Sequence, residues 1–190
     1  MGSFALARAR AGGDGVRRLA GGSCLVATAT FLGCAHTYGL ERQRDGGDAI
    51  PGDARVYVAM PEAGRYATHL YAESGKQTRD AIAQAIGAHV AQVDLGARPE
   101  DHEAALRSAR EGGATHAIVP IIEHWEERAT EWSGKPDRII IDIRVFEVGT
   151  GEVVDAAEIS GKSRWATFGG DHPQELLPRA VGDYVAALFP

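Results

Sequence analysis

A chain of 190 residues, 44% hydrophobic and 24% charged, can build one domain with a real core and is too short for two generous ones. Its formal net charge is −6; four arginines and one aspartate precede Cys34, so the remainder carries 16 bases against 25 acids, a net −9. That balance argues against a nucleic-acid partner, whose affinity would rest on Lys and Arg neutralising phosphates.

Residues 1–34 read as a targeting segment. Arg17 and Arg18 supply a positive region, and the apolar run from Leu19 to Leu32 follows it. That run is shorter than the ~20 residues a membrane-spanning helix needs. It ends in Phe31-Leu32-Gly33-Cys34, which resembles the lipobox of bacterial lipoproteins. The resemblance implies that Cys34 is acylated and becomes the mature N-terminus. Phe31 and Leu32 depart from the usual residues, and the competing reading is an unprocessed apolar tail with an incidental cysteine. The Arg/Ala/Gly-rich stretch before Arg17 fits either a start placed too far upstream or a twin-arginine signal.

Cys24 falls within the signal, so the processed domain holds no free thiol, and thiol catalysis and a cysteine-based zinc site are excluded. Acyl chains would make the protein membrane-anchored, and Ala35 after the cysteine points by resemblance to the outer membrane, facing the periplasm. Residues 35–53, with four glycines and Pro51, read as a flexible linker. A single folded domain is expected over residues 54–190.

In chain order, Arg55–Met60 is a short β-rich run stopped by Pro61. Ser74 and Gln77 have capping-box spacing for a helix whose Ile82, Ala85, Ile86 and His89 would face the sheet. A weak strand at Ala91–Leu95 precedes a second helix, with Pro99 expected in its first turn, acids at its start and Gly112-Gly113 at its end. Ala117–Ile122 reads as a buried strand in which Pro120 implies a bulge or a missing bond. Ile139, Ile141, Ile143 and Val145 then alternate with more polar residues, and Gly149-Thr150-Gly151 turns the chain into a strand over Glu152–Ile159. Asp171 and Pro173 can start a last helix, which Pro178 interrupts or restarts, with Val181, Tyr184, Val185 and Leu188 packing it back on the sheet. The order β-α-β-α-β-β-β-α predicts a two-layer α/β domain. Its mixed sheet would have about five strands, parallel in the first half and an antiparallel meander after it.

Two segments crowd aromatic and charged residues: His124 to Arg138, which holds Trp125 and Trp132, and Gly161 to Pro173, which holds Trp165. With Val148 and Glu152 flanking the hairpin turn, register carries Trp165 to the level of Lys135 and Pro136. Both segments then fall at one end of the sheet. The candidate recognition cluster is His124, Trp125, Arg128, Trp132, Arg138, Arg164, Trp165, Asp171 and His172. Either the tryptophans cap the open end of a small core while the arginines pair with nearby glutamates, or the cluster is an interface of the kind that concentrates binding energy.

The strings Glu123-His124-Trp125-Glu126-Glu127-Arg128-Ala129-Thr130-Glu131-Trp132-Ser133-Gly134-Lys135-Pro136-Asp137-Arg138 and Gly161-Lys162-Ser163-Arg164-Trp165-Ala166-Thr167-Phe168-Gly169-Gly170-Asp171-His172-Pro173-Gln174-Glu175-Leu176-Leu177 resemble a family of proteobacterial lipoproteins, domain of unknown function 4823. The resemblance covers nearly the whole processed domain and implies no catalytic residues. The strand order is similar to the amino-terminal domain of the Tol-system propeller protein and to lipoprotein activators of peptidoglycan synthases; fold does not imply function.

No Gly-x-Ser-x-Gly elbow or His-Glu-x-x-His helix occurs. Gly161-Lys162-Ser163 mimics the end of a phosphate loop, but Ala156 stands where its first glycine belongs. The histidines are too dispersed for a metal site. No cofactor is expected. The leading expectation is a non-catalytic envelope module, anchored to the membrane through Cys34, that binds a cell-envelope protein. The alternative is a small-ligand-binding or hydrolytic protein using His124 or His172.

Overall fold

Alternating hydrophobicity and helical periodicity place three helices around a six-stranded mixed sheet in the computed structural model, which describes residues 36–44, 50–127, 136–163 and 172–189. The strands are β1 (Thr37–Arg44), β2 (Arg55–Met60), the short β3 (Arg65–Tyr66) and β4 (His69–Leu70), β5 (Gln92–Pro99), β6 (His116–Glu126), β7 (Arg138–Glu147) and β8 (Val153–Lys162). The helices are α1 (Ser74–Ile86), α2 (His102–Glu111) and α3 (Leu177–Leu188), the last preceded by a 3₁₀ turn over Pro173–Leu176. Sheet order is β1-β8-β7-β6-β2-β5, while β3 and β4 pair with each other. β2 lies parallel to β5 and β6, and β6, β7, β8 and β1 form the antiparallel part.

The sheet exceeds the expected five strands because Thr37–Arg44, read from sequence as flexible linker, pairs with β8 from Thr37↔Lys162 to Arg44↔Ala156. A buried charge helps to hold this edge strand. The carboxylate of Asp155, fully buried on β8, accepts from Arg42 on β1 and from the Tyr184 hydroxyl on α3 at 2.9 Å. Arg42 also donates to the Ala187 carbonyl at 3.0 Å. Glycines and polar residues concealed the strand, since its edge position leaves most of its side chains exposed.

The helices cover both faces, which corrects the two-layer expectation. On one face α1 and α3 bury Ile82, Ile86, Val181, Tyr184, Val185 and Leu188 against Val56, Val58, Ile118 and the alternating Ile139, Ile141, Ile143 and Val145. On the other, α2 packs Ala105, Leu106 and Ala109 against Tyr57, Ala59, Ala117, Val119 and Phe146. Phe146 lies on the side of its strand opposite Ile139, Ile141, Ile143 and Val145, and α2 buries it there.

Helix starts differ in detail. Ser74 makes no capping box: Glu73 is the N-cap of α1, without a side-chain bond. The Ser74 hydroxyl turns back instead, donating to the Tyr71 carbonyl at 2.7 Å and accepting from the Gly64 amide at 2.8 Å. Pro99 ends β5 opposite Met60 and does not open α2. The Glu100 amide still bonds the Met60 carbonyl at 3.0 Å, so the helix starts only at the Asp101 cap, whose carboxylate accepts from the Ala104 amide at 2.8 Å. His89 lies beyond α1, exposed and stacked on Phe189 at 4.6 Å between ring centroids, and not on the sheet-facing side. Pro178 sits in the first turn of α3 and restarts the chain as a helix.

β6 carries a bulge. Its partners on β7 run Ile122↔Ile141, then His124↔Ile140 and Trp125↔Ile139, leaving Glu123 as the extra residue. Pro120 itself pairs in register with Ile143, while the parallel ladder to β2 stops at Val58↔Ile118, before the proline is reached.

Candidate recognition site at one end of the sheet

β6 and β8 end, and β7 and β1 begin, at the same end of the sheet. The ladders align Glu126 with Arg138, Arg138 with Lys162, and Lys162 with Thr37. One step further, Ser163 and Asp137 are bonded twice: the Ser163 amide to the Asp137 carbonyl at 3.0 Å, and the Asp137 amide to the Ser163 hydroxyl at 2.9 Å. The row is the one counted back from Val148 and Glu152, but by another route: Glu147 and Glu152 close the turn, the Val148 amide bonds the Thr115 carbonyl, and Val154 is an extra residue on β8 that restores the offset.

A second contact joins the two aromatic–charged segments. Nδ1 of His172, just before the 3₁₀ turn, lies 2.7 Å from Oε1 of Glu127, just after β6. Glu127 is fixed from behind by Tyr71, whose hydroxyl accepts from its amide at 3.2 Å. His124 lies on β6 with Nε2 3.0 Å from Oε2 of Glu126, its ring edge-on to Tyr66 at 5.3 Å. Arg138 is exposed.

Trp125 is corrected out of the recognition cluster. It is 2% exposed and belongs to the main core with Ile122 and Ile139. The bulge accounts for this. Uninterrupted alternation from the core-facing Ile122 would turn Trp125 to the opposite face, and the extra residue restores it. A Cβ at Gly64 would lie 2.6 Å from the Trp125 Cβ, so the loop backbone lies directly on the indole because residue 64 has no side chain. Cys34, Arg128, Trp132, Arg164, Trp165 and Asp171 lie outside the described residues.

A second concavity went unnoticed from sequence. A cavity of about 490 Å³ opens beyond the carboxyl ends of β2 and β5, lined by Pro61, Glu62, Pro99, His102, Arg144 and Phe146 among others. The cue available from sequence was the pair of parallel strands, since crevices at their carboxyl ends are common ligand sites. Polar groups close to its floor are engaged with one another. Glu100 accepts from the Tyr57 hydroxyl at 2.6 Å and from the Ser108 hydroxyl at 2.7 Å. Burial, then the Glu100 carboxylate, push the Tyr57 phenol up to about 12, so it stays a donor. The Arg144 guanidinium forks onto Asp142 at 2.8 and 3.0 Å. Among the described residues no group of three or more His, Cys, Asp or Glu is placed to hold a metal, and no helix is long and apolar enough to cross a membrane.

Solved structures share this fold at low identity. PelC from Paraburkholderia phytofirmans, a dodecamer in its crystals, aligns with TM-score 0.63 and 14% identity over 80% of this chain and 98% of its own. Protein XCC0632 from Xanthomonas campestris, of the DUF330 family, aligns with TM-score 0.51 and 11% identity over 73% and 85%. The LpoB C-terminal domain from Escherichia coli is more distant, with TM-score 0.40 and 15% identity over 60% and 87%. At these identities the likeness to PelC and XCC0632 is one of fold. A search of curated protein sequences gives no match. The family described as a domain of unknown function (DUF4823) matches residues 49–188, more than half of the sequence, and the chain belongs to that family.

Proposed function

We propose that this is a lipid-anchored protein of the bacterial cell envelope, acylated at Cys34 and facing the periplasm from the outer membrane. In this reading it is a non-catalytic binding module that offers the Trp/Arg-rich end of its sheet to another envelope protein. Arg128, Trp132, Arg138, Arg164, Trp165, Asp171 and His172 would form the contact, with His124 at its margin. The observation that carries the reading is the contact between Glu127 and His172, which ties the two aromatic–charged segments to one end of the sheet. Interfaces take their binding energy from such Trp and Arg clusters. Replacing Trp132 and Trp165 with alanine is expected to abolish an in-cell crosslink to the partner while leaving the unfolding transition of the domain in place. A variant that unfolds would mark the tryptophans as core, and a folded variant that still crosslinks would sink the reading.

A second reading rests on the carboxylates that His124 and His172 each contact, Glu126 and Glu127. A carboxylate orienting an imidazole is the arrangement a general base uses. It would make this end a small-ligand or hydrolytic site. A thermal-shift screen against cell-wall fragments and metals, negative throughout, would remove it.

A further inference from the structure

Thr37 opens β1 in a row with Lys162 and Arg138. Cys34 precedes Thr37 by three residues, a span of no more than about 11 Å even when fully extended. A strand in place of a loose tether therefore decides where an anchor at Cys34 must enter: beside the row Thr37–Lys162–Arg138. The Arg42 bonds to Asp155 and to the Ala187 carbonyl keep that strand on the sheet.

The charges at the two ends of the sheet differ. Arg138 and Lys162 are exposed at the anchored end. The acids beside them are turned inward or engaged: Asp137 and Glu126 are 5% and 7% exposed, and Glu127 contacts His172. Glu175 on the adjoining 3₁₀ turn and Glu123 on β6 are exposed and count against the bases. At the far end Asp53, Glu111, Glu147 and Glu152 are exposed, against Arg44 and Arg110. The processed chain, at −9, is repelled by an anionic surface as a whole. The Arg138/Lys162 end, where bases and exposed acids balance, is the less repelled of the two and the one that can lead.

We infer that this end of the sheet lies against the membrane, with Arg138 and Lys162 on anionic phospholipid headgroups and the Gly149–Gly151 turn pointing away. The inference rests on the acylation of Cys34 proposed above and narrows the recognition reading. Any protein met by this end is met at the lipid surface.

The test uses the full chain, recovered from membranes with its acyl groups and reconstituted into vesicles of phosphatidylethanolamine and phosphatidylglycerol that carry nitroxide-headgroup lipid. A fluorophore is attached through Lys162→Cys, through Arg138→Cys in the same row, or through Thr150→Cys at the far turn, all at exposed positions. Quenching is expected to be several-fold stronger at 162 and 138 than at 150, and to weaken when phosphatidylcholine replaces phosphatidylglycerol. Equal quenching, or stronger quenching at 150, overturns the orientation. Quenching at 162 and 138 that ignores the lipid exchange overturns the headgroup contact. Palmitate labelling separates the two readings: a chain without label at Cys34 sinks the anchor and the orientation together, whereas a labelled chain with equal quenching sinks the orientation alone.

Discussion

Tyr57 shows how one side chain couples burial to pH. Its phenol is 8% exposed and bonded to Glu100, and its pKa rises from 10 to about 12. A group that holds its proton longer when folded contributes stability that is complete below its unfolded pKa and is lost as pH rises through the folded one. Unfolding free energy is therefore expected to fall between pH 10 and about 12. Tyr184, raised by burial and then by Asp155, acts in the same direction. Tyr57→Phe should cost about 1 kcal/mol at neutral pH and flatten part of the alkaline loss, as urea titrations at pH 8, 10 and 11 would show. Trp125 marks the limit of reading residues from sequence. Its neighbours His124, Glu126 and Glu127 are polar, and nothing local separates a recognition tryptophan from a core one. What buries it is a bulge two residues before it and a glycine loop from β3's approach, both remote decisions of the backbone.

At the scale of elements, periodicity served where one face of an element meets one neighbour. The Ile139 to Val145 alternation and the buried face of α3 follow directly from spacing. Edges were harder, because β1 has a partner on one side only and needs no apolar pattern to pair. The buried Arg42–Asp155 pair adds to its backbone ladder. Arg42→Ala would remove one partner of a buried ion pair, a change that typically costs about 3–5 kcal/mol. Pairing it with Asp155→Asn should recover much of that loss. Amide exchange over residues 37–44 would report whether β1 is released first, and unchanged protection there would show that backbone pairing alone holds the strand.

For the whole molecule, composition and motif order were enough to expect a mixed α/β fold, and the resemblance of the two aromatic–charged strings carried its family. They missed the second helical layer, because the apolar residues of β2, β6 and β7 do not reveal which helix covers which face. The family match begins at residue 49, after β1. The edge strand that would set the distance between anchor and domain thus lies outside the matched region, as does the candidate lipidation site at Cys34. Of the candidate site, the contact between Glu127 and His172 was not legible in the sequence; only the convergence of its two segments at one end of the sheet was. The cavity above β2 and β5 was not, since it is formed by residues far apart in sequence such as Pro61, His102 and Arg144.

The bulge in β6 has a consequence for insertions and deletions. Glu123 is the residue without a counterpart on β7, so removing it would leave Ile122 against Ile141, His124 against Ile140 and Trp125 against Ile139, as they are now. A chain lacking Glu123 is expected to fold with its core intact and a straighter strand. Removing Ile121 instead would shift Pro120 and every residue before it by one place and exchange the two faces of β6. Circular dichroism and thermal melting of the two deletions should separate them clearly, with the first close to the parent and the second unfolded. Within this strand, length is negotiable at Glu123 and fixed at Ile121.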